Sequence, residues 1–488
     1  MRDASHDRNV VLATVVAALG YFVDIFDLLL FALVRVRSLK DLLGDRIAAE
    51  QDRILANSTL VGEALDAERA KIAAGILERN GVLLDNYLQT TGLVLGGLAW
   101  GILADRLGRL QMLFGSILVY SVANILNAFV ADVPPDGAWS WLGAIGLGSA
   151  FNQYAVLRFV AGFGLAGELG AGITLVSELV SKERRGLATT LVATVGIMGA
   201  VCAYFVTQMV EDWRNAYLIG GMLGLALLFL RVGVVESGMF SRVKQSHDAA
   251  RGAFWMLGWP LPRARRFLAV ILAAVPIWYC VGILVKYCDS IALSMGIPRA
   301  QAPEPAPAIM WCYVGLAAGD LASGLYSQLL RSRRRALLSF HVLTGAAIVA
   351  YFALAPRAPE SFYVICTAIG FACGYWAVFV TTTAEQFGTN LRATATTSAP
   401  NFVRWSAAGS AAAWHLLERV FGGGDAAAAV DAPDAKWRAA ALLGAILVPA
   451  AMVAAMALKE TFGSSLDWVE MPDGSRREGS GADAPDRA

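Results

Sequence analysis

Apolar runs of about 20 residues, separated by charges, prolines or glycine clusters, recur along the whole chain, and each is long enough for a helix to cross the hydrocarbon layer of a bilayer. Twelve such segments are predicted. Six fall near Val10–Val36, Gly81–Ala104, Leu110–Ala131, Tyr154–Glu178, Gly186–Val210 and Trp213–Val235. The other six fall near Phe267–Tyr287, Ala306–Leu330, Ala336–Ala355, Phe362–Thr383, Thr394–Leu417 and Trp437–Leu458. Trp139–Asn152 is also apolar and is read as a surface helix, with a thirteenth crossing as the alternative. Hydrophobic residues make up 57% of the 488 and charged residues only 16%, so no charged outer face for a soluble fold can be drawn. The expected fold class is an all-α membrane protein with twelve transmembrane helices in two six-helix bundles.

Short loops on one side carry Arg106 and Arg109, then Lys182, Arg184 and Arg185, then Arg331 and Arg333–Arg335, which assigns that side to the cytoplasm. Both termini then lie inside. Met1–Asn9 is polar with mixed charge and shows no cleavable signal, so the first span is expected to remain in the mature protein. The segment 37–80 falls outside despite its basic residues, because long loops translocate largely regardless of charge. It is expected to form an outer amphipathic helix or cap, or else to be disordered. The expected organisation is 1–237 as the first six-helix half, 238–266 as a basic cytoplasmic linker, 267–460 as the second half, and 461–488 as a cytoplasmic tail disordered at its end. Gly167, Glu178 and Arg185 recur at one constant offset as Gly374, Glu385 and Arg392, as a parallel internal repeat requires.

The net charge of +1 leaves no basic stripe once the loops are set aside, so nucleic acid is excluded as a partner. The six cysteines lie in or near apolar runs without metal-type spacing, which makes them packing residues and leaves no metal or cofactor to predict. No His-Glu-x-x-His, Gly-x-Ser-x-Gly or Walker loop is present, so the chain is not expected to be an enzyme or an ATP-driven pump. Gly162-x-Gly164-x-x-Gly167 sits within a span rather than after a strand, where its glycines let backbones pack closely.

Gly101-Ile-Leu-Ala-Asp105-Arg106-Leu-Gly108-Arg109, between spans two and three, resembles the signature loop of the major facilitator superfamily. Gly101 permits close helix approach, Gly108 a tight turn, and the charges can latch neighbouring helix ends. Arg158 to Glu168, followed by Glu178 and Arg185-Gly186, is similar to the fourth helix of the sugar-porter and metabolite-proton symporter branches. Ser181 stands where sugar porters place Pro, and Glu236–Phe240 resembles the acidic ending of helix six, again without the Pro. The second copy of the signature loop is degenerate, with Gln328 following Gly324 where Asp105 follows Gly101. The resemblance implies a secondary transporter working by alternating access. It implies a cytoplasmic gate built from Gly101, Asp105, Arg106, Gly108, Arg109, Glu178 and Arg185, with Glu385 and Arg392 in the second half.

Ionisable groups at membrane depth cost several kcal/mol unless paired or hydrated, so each is a functional hypothesis. Asp24 and Asp27 are three apart and share one face of helix one. Asp27 reaches a depth similar to Arg158 on helix four, and family members commonly pair such residues. Asp27 is therefore the expected proton-coupling acid with Arg158 as partner and Asp24 able to share the role; a permanent structural ion pair is the alternative. Glu168 either lines the cavity or ties helix four to a neighbour. Arg404 either pairs structurally with Asp320 or binds a substrate carboxylate. Lys286 and Asp289 sit near an outer end, where snorkelling makes them cheap. Trp278 and Tyr279 beside Pro276, and Asn401 beside Pro400, mark helix interruptions that can offer groups to a solute.

These features predict a monomeric transporter in a plasma membrane, of the bacterial inner-membrane kind, that moves a small organic metabolite with protons. An organic acid or zwitterion is favoured as solute, a sugar or polyol is the runner-up, and a non-transporting solute sensor of the same shape is the third reading.

Overall fold

The computed structural model describes residues 2–56, 58, 60–230, 251–354, 359–422 and 434–478. Glu236–Phe240 and the first part of the predicted linker, 238–250, therefore lie outside the described residues. Eleven helices among the described residues are long and apolar enough to cross a membrane. In chain order these and one further helix are α1 (Arg2–Leu55), α2 (Glu63–Leu107), α3 (Arg109–Asn127), α4 (Ala150–Leu179), α5 (Arg185–Met209), α6 (Trp213–Leu230), α7 (Leu261–Val285), α8 (Pro305–Leu329), α9 (Arg333–Leu354), α10 (Phe362–Gln386), α11 (Arg392–Phe421) and α12 (Ala435–Ala457). The helix outside the eleven is α11, whose first half carries Thr394, Thr396, Thr397, Ser398, Asn401 and Arg404. Those side chains are buried against α2, α4, α7 and α12, so α11 is polar because it faces the protein interior rather than lipid.

Helices α1–α6 pack as one bundle and α7–α12 as the other. They meet along two equivalent seams, α2 against α11 and α5 against α8. Glycine makes both seams possible. A Cβ on Gly101 would lie 2.8 Å from the Thr394 Cα, and one on Gly324 would lie 2.0 Å from the Thr190 hydroxyl. Exposed Leu126, Phe205, Phe229, Val349, Ile446 and Val453 form the outer apolar surface expected of a chain solvated by lipid.

The repeat seen in the sequence is visible as matching breaks. Helix α4 is interrupted after Leu165 and resumes at Glu168, and α10 is interrupted after Cys373 and resumes at Trp376. Two further irregularities are π-helical turns at Leu83–Gln89 in α2 and Cys280–Val285 in α7. Both π turns lie toward the face opposite the signature loop.

Within segment 37–80, two helical stretches pack against each other. Helix α1 continues to Leu55, and α2 returns from Glu63. Leu39, Leu43 and Ile47, four residues apart, are buried on one stripe against Ala73, Ile76 and Leu77. Of Trp139–Asn152, residues 139–149 form a largely exposed loop with a single helical turn at Trp141–Ala144, 150–152 begin α4, and the segment makes no separate crossing.

Two boundaries differ from expectation. Helix α7 starts at Leu261, inside the predicted linker, because prolines at 260 and 262 supply the fixed φ favoured in a first helical turn. The tail is also folded as far as it is described: β1 (Trp468–Glu470) pairs antiparallel with β2 (Arg476–Glu478), with Val469 opposite Arg477. Residues 479–488 lie outside the described residues.

Candidate functional site

The signature-loop face is closed by two clusters related by the internal repeat. Gly108 turns the chain between α2 and α3 at φ 127°, a conformation open to glycine, and so presents Arg109 at the first position of α3. Arg109 donates to Glu178 at 3.0 Å, to the Thr389 carbonyl at 2.9 Å and to the Ala104 carbonyl at 3.3 Å, and lies 3.4 Å from Asp105. Glu178 also accepts from Arg392 of the other bundle at 2.8 Å. Its repeat counterpart Glu385 accepts from Arg333 through two nitrogens, each at 3.3 Å, and pairs with Arg185 of the first bundle at 3.5 Å. Each glutamate thus joins one arginine of its own half to one of the opposite half.

Asp105 adds a third link. It accepts from the backbone of Ala393 and Thr394 at 3.2 and 2.8 Å and from the Thr394 hydroxyl at 2.7 Å, capping the first turn of α11 from the other bundle. Arg106 is exposed at the rim and donates to the Arg251 carbonyl at 3.3 Å.

Arg333 was read from sequence only as a topology charge. The degenerate second loop hides it, because Arg109 follows Asp105 by four residues whereas Arg333 follows Gln328 by five. The tail residues were missed as well. The Thr461 hydroxyl donates to Glu385 at 2.8 Å, and the Leu466 and Ser464 carbonyls accept from Arg392 and Arg185 at 2.6 and 3.3 Å.

At the centre, a partly open cavity lies between the bundles, bordered by Asp85, Gln89, half-buried Trp278, Lys286, Tyr313 and Arg404 with apolar Leu28 and Leu29. Arg404 is buried. Its nearest acid is Asp24 at 3.6 Å, and it donates to Asn401 at 3.1 Å while its guanidinium lies 5.8 Å from the Trp376 ring. Neither Asp24 oxygen has a hydrogen-bond partner, and the Nε of Arg404 also has none. Asn401 donates to the Ala166 carbonyl at the α4 break, so it holds Arg404 while tying the bundles together. Glu168 is buried at the start of the resumed α4, within electrostatic reach of Asp24 and outside the cavity lining.

Two expected placements are corrected. Asp320 does not pair with Arg404. It accepts from the Ala377 amide at 2.9 Å, capping the resumed segment of α10, because a helix break leaves amides that need an acceptor. Tyr279 does not face the cavity. It is fully buried and donates to the Ala440 carbonyl of α12 at 2.5 Å, since the residue after Trp278 on a helix points about a quarter-turn away.

Asp27 and Arg158 occupy a separate buried compartment. Arg158 donates to Asn124 at 2.6 Å and lies 4.5 Å from the Tyr217 ring, and its field reaches Asp27 without a direct hydrogen bond. Asp27 fits against Gly220, where a Cβ would come within 2.1 Å of its carboxylate. On the face opposite the signature loop, Lys286 bonds Asp85 across the two bundles, directly over the cavity. Asp85 lies in the first turns of a predicted span, and that position was the signal available for finding it.

The family model of the major facilitator superfamily matches residues 87–413. This chain belongs to that superfamily. It is a membrane transporter and not an enzyme. It is similar to the putative niacin/nicotinamide transporter NiaP of Bacillus subtilis, 26% identical over 333 residues that cover 65% of this chain and 74% of the relative. It is also similar to the 3-(3-hydroxy-phenyl)propionate transporter of Escherichia coli, 26% identical across 57% of this chain and 65% of that one. The 4-hydroxybenzoate transporter PcaK of Pseudomonas putida is 31% identical over a shorter stretch, 31% of each chain. Among solved structures, the proton:xylose symporter XylE superposes with a TM-score of 0.66 at 16% identity, covering 94% of this chain and 98% of that one. As a major facilitator protein, the chain is closed on its signature-loop face by both glutamate clusters and bridged on the opposite face by Asp85 and Lys286.

Proposed function

We propose that this transporter carries a small aromatic or heterocyclic monocarboxylate together with one proton, with the signature-loop face and both described ends of the chain in the cytoplasm. The observation that carries the reading is the buried Arg404–Asp24 pair at the cavity wall, 3.6 Å apart and short of hydrogen bonds. A guanidinium with open donors is suited to a solute carboxylate, which it can take in bidentate fashion. When the solute carboxylate takes over Arg404, Asp24 loses its countercharge in a desolvated site and picks up a proton. One anion and one proton then cross together without net charge. Trp278, Tyr313 and the apolar Leu28 and Leu29 supply flat and aliphatic surface for a ring. The solutes for which the relatives are named support the same chemistry, since niacin, 4-hydroxybenzoate and 3-(3-hydroxyphenyl)propionate are aromatic or heteroaromatic acids.

In this reading Asp24 is the principal coupling acid. Asp27 and Arg158 form a second charged pair on the same helix face that supports the bundle, and Glu168 shapes the field around Asp24. The cytoplasmic placement rests on the arginine-rich loops of the signature face.

The test is uptake of labelled nicotinate, 4-hydroxybenzoate and xylose into proteoliposomes with and without an inside-alkaline pH gradient. The expected result is gradient-driven accumulation of an aromatic acid and none of xylose. Arg404→Gln is expected to abolish solute binding, and Asp24→Asn to keep solute exchange while losing accumulation. Unaltered affinity of Arg404→Gln for the anionic solute would remove that residue from the site.

A further inference from the structure

The folded tail and the start of α7 build a second concavity, on the signature-loop face but away from the transport cavity. It is an open cleft of about 1180 Å³ between the ends of α7 and α12, walled on its third side by the β1–β2 hairpin. Gly474, at the hairpin tip, rests on Pro260.

Two of the arginines in this cleft are already used. Arg263 donates to Glu470 at 2.9 Å and to three backbone carbonyls, and Arg266 pairs with Glu470 at 2.5 Å and lies over the Phe387 ring. Three other cations, Arg265, Lys459 and Arg476, border the cleft and are exposed. Among the described residues the side chains of Arg265 and Lys459 have no ion-pair or hydrogen-bond partner, and Arg476 lies only over the Trp468 ring at 4.1 Å. Asp473 is turned toward Ser475, accepting from its amide and hydroxyl at 2.8 and 2.7 Å. Five cations against the two acids Glu470 and Asp473 leave a surplus of three positive charges.

The surroundings indicate what the cleft faces. Ala269 and Ala457 line its inner edge, and immediately beyond them α7 exposes Leu268 and Leu272 while α12 exposes Val453 and Met456. Trp255 and Trp259 are exposed beside it, as tryptophans are at the headgroup level of a bilayer. We propose that this cleft binds the phosphate headgroup of an anionic phospholipid, with the acyl chains lying against α7 and α12. A charge bias that merely fixes topology needs basic loops, but it needs no concave wall held by a buried Glu470 and opening onto lipid-facing leucines.

The site also connects to the gate. Glu470 exchanges two hydrogen bonds with Asn390, at 2.9 and 3.0 Å, and the neighbouring Thr389 carbonyl accepts from Arg109. A headgroup seated against the hairpin therefore braces the loop on which the closed gate rests.

The experiment is thermal unfolding of the full chain in detergent, titrated separately with phosphatidylglycerol, phosphatidylcholine and inorganic phosphate. Each Lys or Arg near a charged lipid contributes about 1 kcal/mol, about fivefold in affinity, so the triple variant Arg265→Gln, Lys459→Gln, Arg476→Gln should bind phosphatidylglycerol about a hundredfold more weakly. The control triple variant Arg331→Gln, Arg334→Gln, Arg335→Gln removes three exposed charges from the same face and should bind as the parent does. Native mass spectrometry of the single variant Arg265→Gln, counting retained phosphatidylglycerol, supplies a readout independent of unfolding. Equal losses in both triple variants would overturn the site, as would full retention by the cleft variants. Stabilisation of the parent by inorganic phosphate matching that by phosphatidylglycerol would assign the cleft to a free anion instead.

Discussion

Replacing Glu178 by Gln tests the closed gate most directly. The carboxylate accepts from Arg109 at 3.0 Å and Arg392 at 2.8 Å, and all three side chains are sealed from solvent. Gln keeps the shape and one acceptor but removes the charge. Stripping a buried cation of its only partner costs about 3–5 kcal/mol, but Arg109 keeps Asp105 and two carbonyls, and Arg392 keeps the Leu466 and Ala384 carbonyls. Only the Arg392 arm joins the two bundles, so only its share bears on opening. A loss of about 2 kcal/mol there shifts the equilibrium about thirtyfold toward the state open on the signature-loop face. The shift can be read by electron–electron resonance between spin labels at Lys182→Cys and Arg334→Cys, two exposed positions flanking the Glu385 cluster on opposite bundles. Five of the six native cysteines are buried, and half-exposed Cys202 can be replaced by Ser. A longer distance should appear in Glu178→Gln. A distribution identical to the parent's would refute the claim that this glutamate holds the face shut.

Lys286→Gln and Asp85→Asn should each loosen the opposite face by about 1 kcal/mol, about fivefold in its opening, because the pair is mostly but not fully buried. The charge-swapped double variant should restore the parent value, and accessibility of a thiol placed in the cavity measures both. Gly101→Val and Gly324→Val should shift the distance distribution in the same direction as Glu178→Gln, since each forces a side chain into the opposing bundle's Thr394 or Thr190. Asp27→Asn should leave the pH dependence of accumulation in place while lowering the thermal midpoint or leaving it unchanged. If accumulation against the gradient disappears instead, the coupling role belongs to Asp27 rather than Asp24.

Hydropathy determines the outline of this protein, because every backbone polar group in lipid must be satisfied within a helix and about 20 apolar residues are needed for a crossing. The signature loop and the recurrence of Glu178 and Arg185 as Glu385 and Arg392 were equally legible, since a gate needs charges at helix ends and the repeat displays them twice. Which charge meets which was not legible. Arg404 finds Asp24 rather than Asp320, and Asp85 finds Lys286, 201 residues away, because these pairings depend on how the helices rotate and on which bundle faces which. Arg333 escaped notice through a one-residue shift that a helix end absorbs easily. The tail, expected only as a cytoplasmic extension disordered at its end, is part of the gate because buried Arg392, Arg185 and Glu385 have donors and acceptors that Leu466, Ser464 and Thr461 satisfy. Sequence alone settles where the chain meets lipid, a property of each segment by itself; the partner of every buried ion is decided by packing between segments.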